Sequence, residues 1–140
     1  MNPDTIIYLI SRIREKANAF ILQELKHSGL TGLAPSHGDI LYLLLHEDTL
    51  NMSDIAGRIH RRKPTVTVLV DKLIQLGYVE KRIDPKDERV HLISLTGQGQ
   101  ALKPKVMKIS ADLLNRLYKG VSEEEQKILM MLLLKIRRNL

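Results

Sequence analysis

Residues 51–96 read NMSDIAGRIHRRKPTVTVLVDKLIQLGYVEKRIDPKDERVHLISLT, and the order of signals along them decides the fold. Asn51 suits a helix cap, Asp54 falls in the first turn where the helix dipole favours an anion, and Ile55, Ala56 and Ile59 form an apolar inner face. Ala56 is small where two helices must cross closely. Arg61, Arg62 and Lys63 make a basic turn, and Pro64 suits the first turn of a second helix. That helix repeats Val66, Leu69, Val70 and Leu73 at helical spacing and stops at Gly77. Thr65, Thr67, Val68, Lys72 and Gln75 lie mostly away from the stripe, so the second helix offers a modest, sparsely charged face. Beyond it, Tyr78, Val79, Lys81 and Ile83, then Val90, Leu92, Ile93 and Leu95, have β-forming character on either side of Asp84-Pro85-Lys86-Asp87-Glu88. This predicts a two-stranded hairpin with a charged tip. A helix enters the major groove of DNA only if one face is anchored by a partner helix while the opposite face stays small, polar or cationic. The segment meets each requirement.

The flanks read as helices. Asn2, Pro3 and Asp4 predict a helix start, and Ile6, Leu9, Ile10, Ile13, Ala17, Phe20, Ile21 and Leu25 form a helical stripe that Gly29 and Gly32 end. After Pro35, Ser36 with Asp39 predicts a capping box for a helix whose residues 40–45 are apolar nearly all round, hence buried on several sides. Thr96 predicts the cap of a fifth helix reaching about Tyr118, with Gly97, Gly99 and Pro104 working against an early start. Ser122 and Glu125 predict a capping box for a last helix to about Arg138. Its belt, Ile128 to Leu134 and then Ile136, is too wide for one neighbour to cover. Taken with the N-terminal stripe it reads as a dimer interface, with Ile6, Ile10, Ile13, Leu129, Leu133 and Ile136 at the contact. The plainer alternative is a bundle of the first, fifth and last helices within one chain.

Composition narrows the function classes. At 140 residues the chain is one domain by length. Lys and Arg outnumber Asp and Glu by 22 to 16, and the excess is clustered: Arg58, Arg61, Arg62 and Lys63 crowd one turn, Lys81, Arg82, Lys86 and Arg89 one hairpin. A polyanion fits that distribution better than a basic surface kept for solubility. The absence of cysteine removes disulfides, thiol catalysis and thiolate metal sites. His27, His37, His46, His60 and His91 include no His-x-x-x-His pair, so no metal and no cofactor are expected. No nucleophile elbow or phosphate loop organises the His, Asp and Ser residues, and an enzyme is not expected. The longest apolar run falls far short of the ~20 residues a membrane helix requires. With no secretory signal visible, the expected place is the cytoplasm.

Asp87-Glu88-Arg89, five further residues, then Leu95-Thr96 and Gly99 resemble the signature of the MarR family of winged helix-turn-helix regulators. Thr65-Val66-Thr67, Leu69-Val70-Asp71-Lys72-Leu73 and Gly77-Tyr78-Val79-Glu80-Lys81-Arg82 are similar to that family as well. The resemblance covers nearly the whole chain. It implies one domain over residues 1–140, mainly α with a small two- or three-stranded β wing. Residues 34–98 would form the winged DNA-binding region, and residues 1–30 and 100–140 the dimerisation helices. It implies a homodimer on double-stranded DNA, one recognition helix per subunit in the major groove and one wing in the adjoining minor groove. The operator would be a pseudo-palindrome with half-sites about 34 Å apart. Members are mostly repressors, many released by small ligands, so a small aromatic or amphipathic ligand is an implied partner. A constitutive regulator or activator without inducer, or a winged-helix module that binds an acidic protein, remain alternatives.

By residue, the resemblance implies Arg89 at the minor groove with Asp87 orienting it, and Arg82 and Lys86 beside it on the wing. Lys63, Thr65, Thr67 and Val68 match the exposed early part of the recognition helix, with Lys72 further along it. Arg61, Arg62 and Lys63 suit phosphates better than bases, and Ser36 and Ser53 could add contacts at helix starts. A ligand pocket where dimer bundle and reader meet would involve Phe20, Ile40, Leu44, Val70 or Met107, each of which also suits plain core.

Overall fold

The structure, a computed structural model, describes all 140 residues. A 3-10 turn (Pro3–Thr5) leads into α1 (Ile6–His27), followed by α2 (Pro35–His46), β1 (Leu50–Asn51), α3 (Met52–Ile59) and α4 (Lys63–Gln75). Then come β2 (Val79–Asp84), β3 (Asp87–Leu95), α5 (Gly97–Gln100), α6 (Lys103–Leu117) and α7 (Glu123–Arg138). The caps explain most boundaries. Asn2 Oδ1 accepts the Asp4 N–H at 3.0 Å, Asn51 Oδ1 the Asp54 N–H at 2.7 Å, and Ser122 and Glu125 cap each other's backbone reciprocally.

Three boundaries differ from the sequence reading. The expected capping box of Ser36 and Asp39 does not form, because the N-cap is Ala34 and Ser36 already lies inside α2. Ala34 has no side-chain acceptor to offer. Its own N–H is instead taken by His37 Nδ1 at 2.8 Å, so a ring nitrogen at the third helical position does the work of a carboxylate. The fifth helix is divided in two: Thr96 Oγ1 accepts the Gly99 N–H and donates to the Gly77 carbonyl, which closes α5 down to one turn. A new helix begins at Lys103 with Pro104 in its first turn. The hairpin read from residues 78–95 also gains a third strand, within the two- or three-stranded wing that the resemblance implies, since Leu50 and Asn51 pair antiparallel with Ile93 and Leu92, giving the order β1-β3-β2.

The core lies where α2 is surrounded. Ile40, Leu41 and Leu44 meet Ile55 of α3, Val66, Val70 and Leu73 of α4, Val79 and Ile93 of the sheet, and Leu25 at the end of α1, all buried. Burial of each such side chain contributes roughly 1.5–3 kcal/mol, so the helix-turn-helix and wing base are held by one continuous cluster. Val106 and Ile109 of α6 join it, and Lys105 Nζ donates to the Ser28 carbonyl at 2.9 Å, fixing α6 to the end of α1.

The chain's two ends do not share in this. No residue of α7 is buried, and Ile6, Ile10, Ile13, Leu129, Leu133 and Ile136 are all exposed. The single-chain bundle considered from sequence is therefore not formed by α7, whose apolar belt stands open.

Candidate nucleic-acid interface

The turn between α3 and α4 is set by one backbone conformation. His60 ends α3 with φ 56° and ψ 47°, the left-handed region that a side chain disfavours, and the Arg61 N–H returns to the Ala56 carbonyl at 3.0 Å. This reversal lays α4 across α3 so that Val66, Val70 and Leu73 face inward while Lys63, Thr65, Thr67 and Val68 are exposed. Val68 keeps 69% of its surface. The Thr67 hydroxyl donates back to the Lys63 carbonyl at 3.0 Å, so what it still offers outward is a methyl group and an acceptor oxygen.

Other sequence-nominated cations divide by location. Arg62 is exposed beside Lys63 at the start of α4. Arg61 turns toward α2, where its guanidinium donates to Ser36 Oγ at 3.4 Å. Lys72 is half-buried with its ammonium beside Gly32, away from the early turns of α4.

The wing's register sorts its side chains by face. Cross-strand partners project to the same side, and here Val79 pairs with Leu95, Lys81 with Ile93 and Ile83 with His91. The pairing then jumps to Asp84 with Asp87, an irregularity that interrupts alternation, and it is a shared cleft between helix and wing that places Arg89 beside Lys81 and His91. Arg82 pairs with Leu92 and projects to the opposite side. Lys86 is exposed at the tip, its N–H bonded to Asp84 Oδ1 at 2.9 Å. Arg89 is braced three ways by Asp87: backbone N–H to Oδ1 at 3.0 Å, Nε to Oδ1 at 3.1 Å and Nη2 to Oδ2 at 3.4 Å. The side-chain and then the backbone hydrogen bonds from Arg89 hold the Asp87 carboxyl below the ordinary carboxylate range. The Arg89 side chain nevertheless stays 90% exposed, an aimed cation that solvent does not have to release from burial.

Helix and wing enclose a cleft of about 330 Å³ bordered by Lys63 and Thr67 of α4, Asn51 and Ser53 at the start of α3, and Lys81, Arg89 and His91 of the wing. No carboxylate borders it. Of the residues nominated from sequence, Lys63, Thr67 and Arg89 border it together. Lys81, His91 and Asn51 are additions; strand alternation marks the first two once the hairpin register is known.

A second cavity of about 330 Å³ lies between α1, α2 and α6, with Ile21, Leu25, Tyr42, Val106, Ile109 and Leu114 among its walls and Asp39 and Ser110 as polar groups. None of the five residues nominated for a ligand pocket borders it. Ile40, Leu44 and Val70 are core, Phe20 lies under the Arg116 guanidinium at 4.9 Å, and Met107 is half-buried. Their neighbours Ile21 and Val106 line it instead, because one step along a helix rotates a side chain by about 100°. Asp39 has solvent on one side, yet the protein crowding its carboxyl raises it above its ordinary range, against the pull of Arg61. No three His, Asp or Glu side chains gather as a metal site, and no helix is long and apolar enough to cross a membrane.

Comparison with known proteins agrees with this geometry. The sequence profile of the MarR family matches residues 33–91, from the loop before α2 to the middle of β3. An uncharacterized HTH-type transcriptional regulator of Bacillus subtilis, YdgJ, is 30% identical over 115 residues, covering 82% of this chain and 70% of its own. Among solved structures, the Staphylococcus aureus MepR–DNA complex superposes with a TM-score of 0.88 at 27% identity, covering 97% of this chain and 98% of that one. A mutant MarR from E. coli complexed with operator DNA superposes at 0.82 with 20% identity, covering 97% and 99%, which speaks to the fold.

Proposed function

This chain belongs to the MarR family of transcriptional regulators, and from that premise we propose that it acts as a homodimeric, sequence-specific DNA-binding repressor released by a small ligand. The observation that carries the proposal is that the exposed start of α4 and the braced Arg89 of the wing border one cleft with no carboxylate in it. In this reading Lys63, Thr65, Thr67 and Val68 meet the major groove. Thr and Val methyl groups suit a thymine methyl, and the Thr65 hydroxyl can donate or accept at base edges. Arg89 enters the minor groove, where a narrow groove concentrates negative potential, and Arg62 and Lys86 engage phosphates.

Homodimerisation is supported by the open apolar surfaces of α1 and α7, which no other part of the chain covers. Residues 1–30 and 100–140 would form the shared bundle and residues 34–98 the reader, so twofold symmetry demands a pseudo-palindromic operator. The cavity between α1, α2 and α6 supports ligand control, since it lies where bundle and reader join. A ligand there releases DNA only by binding the DNA-incompetent dimer more tightly.

Selection from random DNA together with light scattering tests the proposal. The expected outcome is a twofold-symmetric sequence with half-sites about one helical turn apart, bound by a particle of twice the chain's 16.0 kDa. A monomer that enriches no sequence would overturn it.

A further inference from the structure

The inner face of the wing changes character along its length. At the base Val79, Ile93 and Leu95 are buried in the core, whereas further out the same face carries Lys81 and His91, with Arg89 bordering the same cleft. A sheet face turned toward helices ordinarily stays apolar, because a charge placed beneath them loses hydration. Here the charged part overhangs the starts of α3 and α4 and forms one wall of the cleft, with Lys63 on the opposite wall. Neither Lys63 nor Lys81 has an ion-pair partner, and Arg89's partner Asp87 does not border the cleft. Cationic groups from three elements therefore converge on a space that holds no anion of the protein's own.

We infer that this cleft seats a single phosphate of the DNA backbone, gripped by Lys63 from the recognition helix and Lys81 from the wing, with a ring N–H of His91 as a further donor. The inference rests on the DNA-binding reading above and adds Lys81 and His91 to it. The strand that separates a major groove from the adjoining minor groove is the sugar–phosphate backbone itself. A protein with α4 in one groove and the tip of its wing in the next must straddle that strand, and the space between helix and wing is where the strand passes. The contact is made to phosphate, so it fixes register and angle of approach without reading sequence. It also explains why Lys81 faces inward while Arg82 faces out.

The test compares wild type with Lys81→Gln on the operator recovered by selection and on an unrelated duplex of equal length, across a salt series. Lys81→Gln is expected to weaken both complexes by the same factor, about five- to tenfold, and to make the log–log salt slope shallower by about 1.8, the value of one phosphate for each of the dimer's two subunits. Lys81→Arg is expected to restore the slope. A methylphosphonate scan of one half-site is expected to find one linkage whose neutralisation weakens wild type and weakens Lys81→Gln measurably less, the remainder being what Lys63 and His91 still supply. An unchanged slope in Lys81→Gln, or fully additive losses at every linkage, overturns the inference while leaving operator binding by wild type intact. If wild type itself enriches no operator, the DNA-binding reading falls first. Inorganic phosphate that binds wild type but not Lys81→Gln, without weakening the DNA complex beyond its ionic-strength effect, assigns the cleft to a free oxyanion and overturns the backbone contact.

Discussion

Replacing His37 by Gln is expected to leave the protein near wild-type stability above neutral pH and to remove much of its sensitivity to mild acid. His37 is 7% exposed, and its Nδ1 accepts the Ala34 N–H at 2.8 Å, a bond available only to the unprotonated nitrogen. Burial first, and the nearby Lys72 ammonium second, push its pKa below the ordinary 6.5. The sign follows from linkage. As pH falls below 6.5 the unfolded chain binds a proton at this histidine that the folded protein refuses, so stability declines until the lower folded value is passed. Between about pH 7.5 and about pH 5.5 the unfolded state gains at most RT ln(11/1.1), about 1.4 kcal/mol, reached if His37 stays neutral in the folded protein throughout. Gln at the same helical position has an oxygen that can take the Ala34 N–H but nothing to titrate. Urea unfolding at several pH values and one fixed protein concentration, followed by helical circular dichroism, measures the difference. Wild type should lose up to about 1.4 kcal/mol more than His37→Gln across that interval. Parallel curves for the two proteins would show that this histidine is not held neutral, and the argument would fail.

Further expectations concern the backbone and the wing. His60→Gly relieves a left-handed conformation costing about 1–2 kcal/mol and adds back roughly 0.5–1 kcal/mol of chain entropy, so a net gain of about 0.5 kcal/mol in urea unfolding is expected; a loss would mean the His60 side chain contributes contacts that outweigh its strain. Gly99→Ala places a methyl group into the Tyr78 carbonyl, and since the obstacle is backbone the expected loss is at least about 2 kcal/mol; unchanged unfolding would contradict the packing of α5 on the wing base. Arg89→Ala should weaken operator binding by about 1.5–3 kcal/mol for each of the two wings in a mobility-shift titration, the range for a hydrogen bond to a charged group, while light scattering shows the same particle mass. Wild-type affinity in that variant would remove the wing from the interface.

The parts of this fold that announce themselves in sequence are those whose signals are local. Asn51, Thr96 and Ser122 cap where they were expected to, because an oxygen side chain beside an apolar period needs no tertiary context. The start of α2 escaped because the capping group is a ring nitrogen reaching back from His37 to a residue with no acceptor of its own. β1 escaped because two residues cannot display a period; pairing of Leu50 and Asn51 with β3 is a property of the assembled sheet. The same limit applies to the site. Lys81 and Arg82 are adjacent and both basic, and only the register Lys81 to Ile93 decides that one faces the recognition helix and the other does not. Arg61 and Lys63 are two residues apart, yet the left-handed turn at His60 sends the first toward Ser36 and leaves the second at the cleft.

That turn also connects the reader to the cavity. α2 lines the cavity through Asp39 and Tyr42 on one side and, through Ser36, meets the guanidinium of Arg61 on the other. Asp39 feels both: protein packed around it raises its pKa and the charge of Arg61 lowers it. A molecule entering between α1, α2 and α6 therefore meets the DNA reader first at the start of α2, one hydrogen bond from the turn that aims α4. An effect on DNA binding requires that this contact differ between two arrangements of α2 relative to the bundle. α1 and α6 are tied to each other through Lys105 and Ser28, whereas no residue of α7 is buried. If a ligand acts through this contact, it does so by moving α2, and with it the turn that aims α4, relative to the part of the bundle that Lys105 and Ser28 hold together.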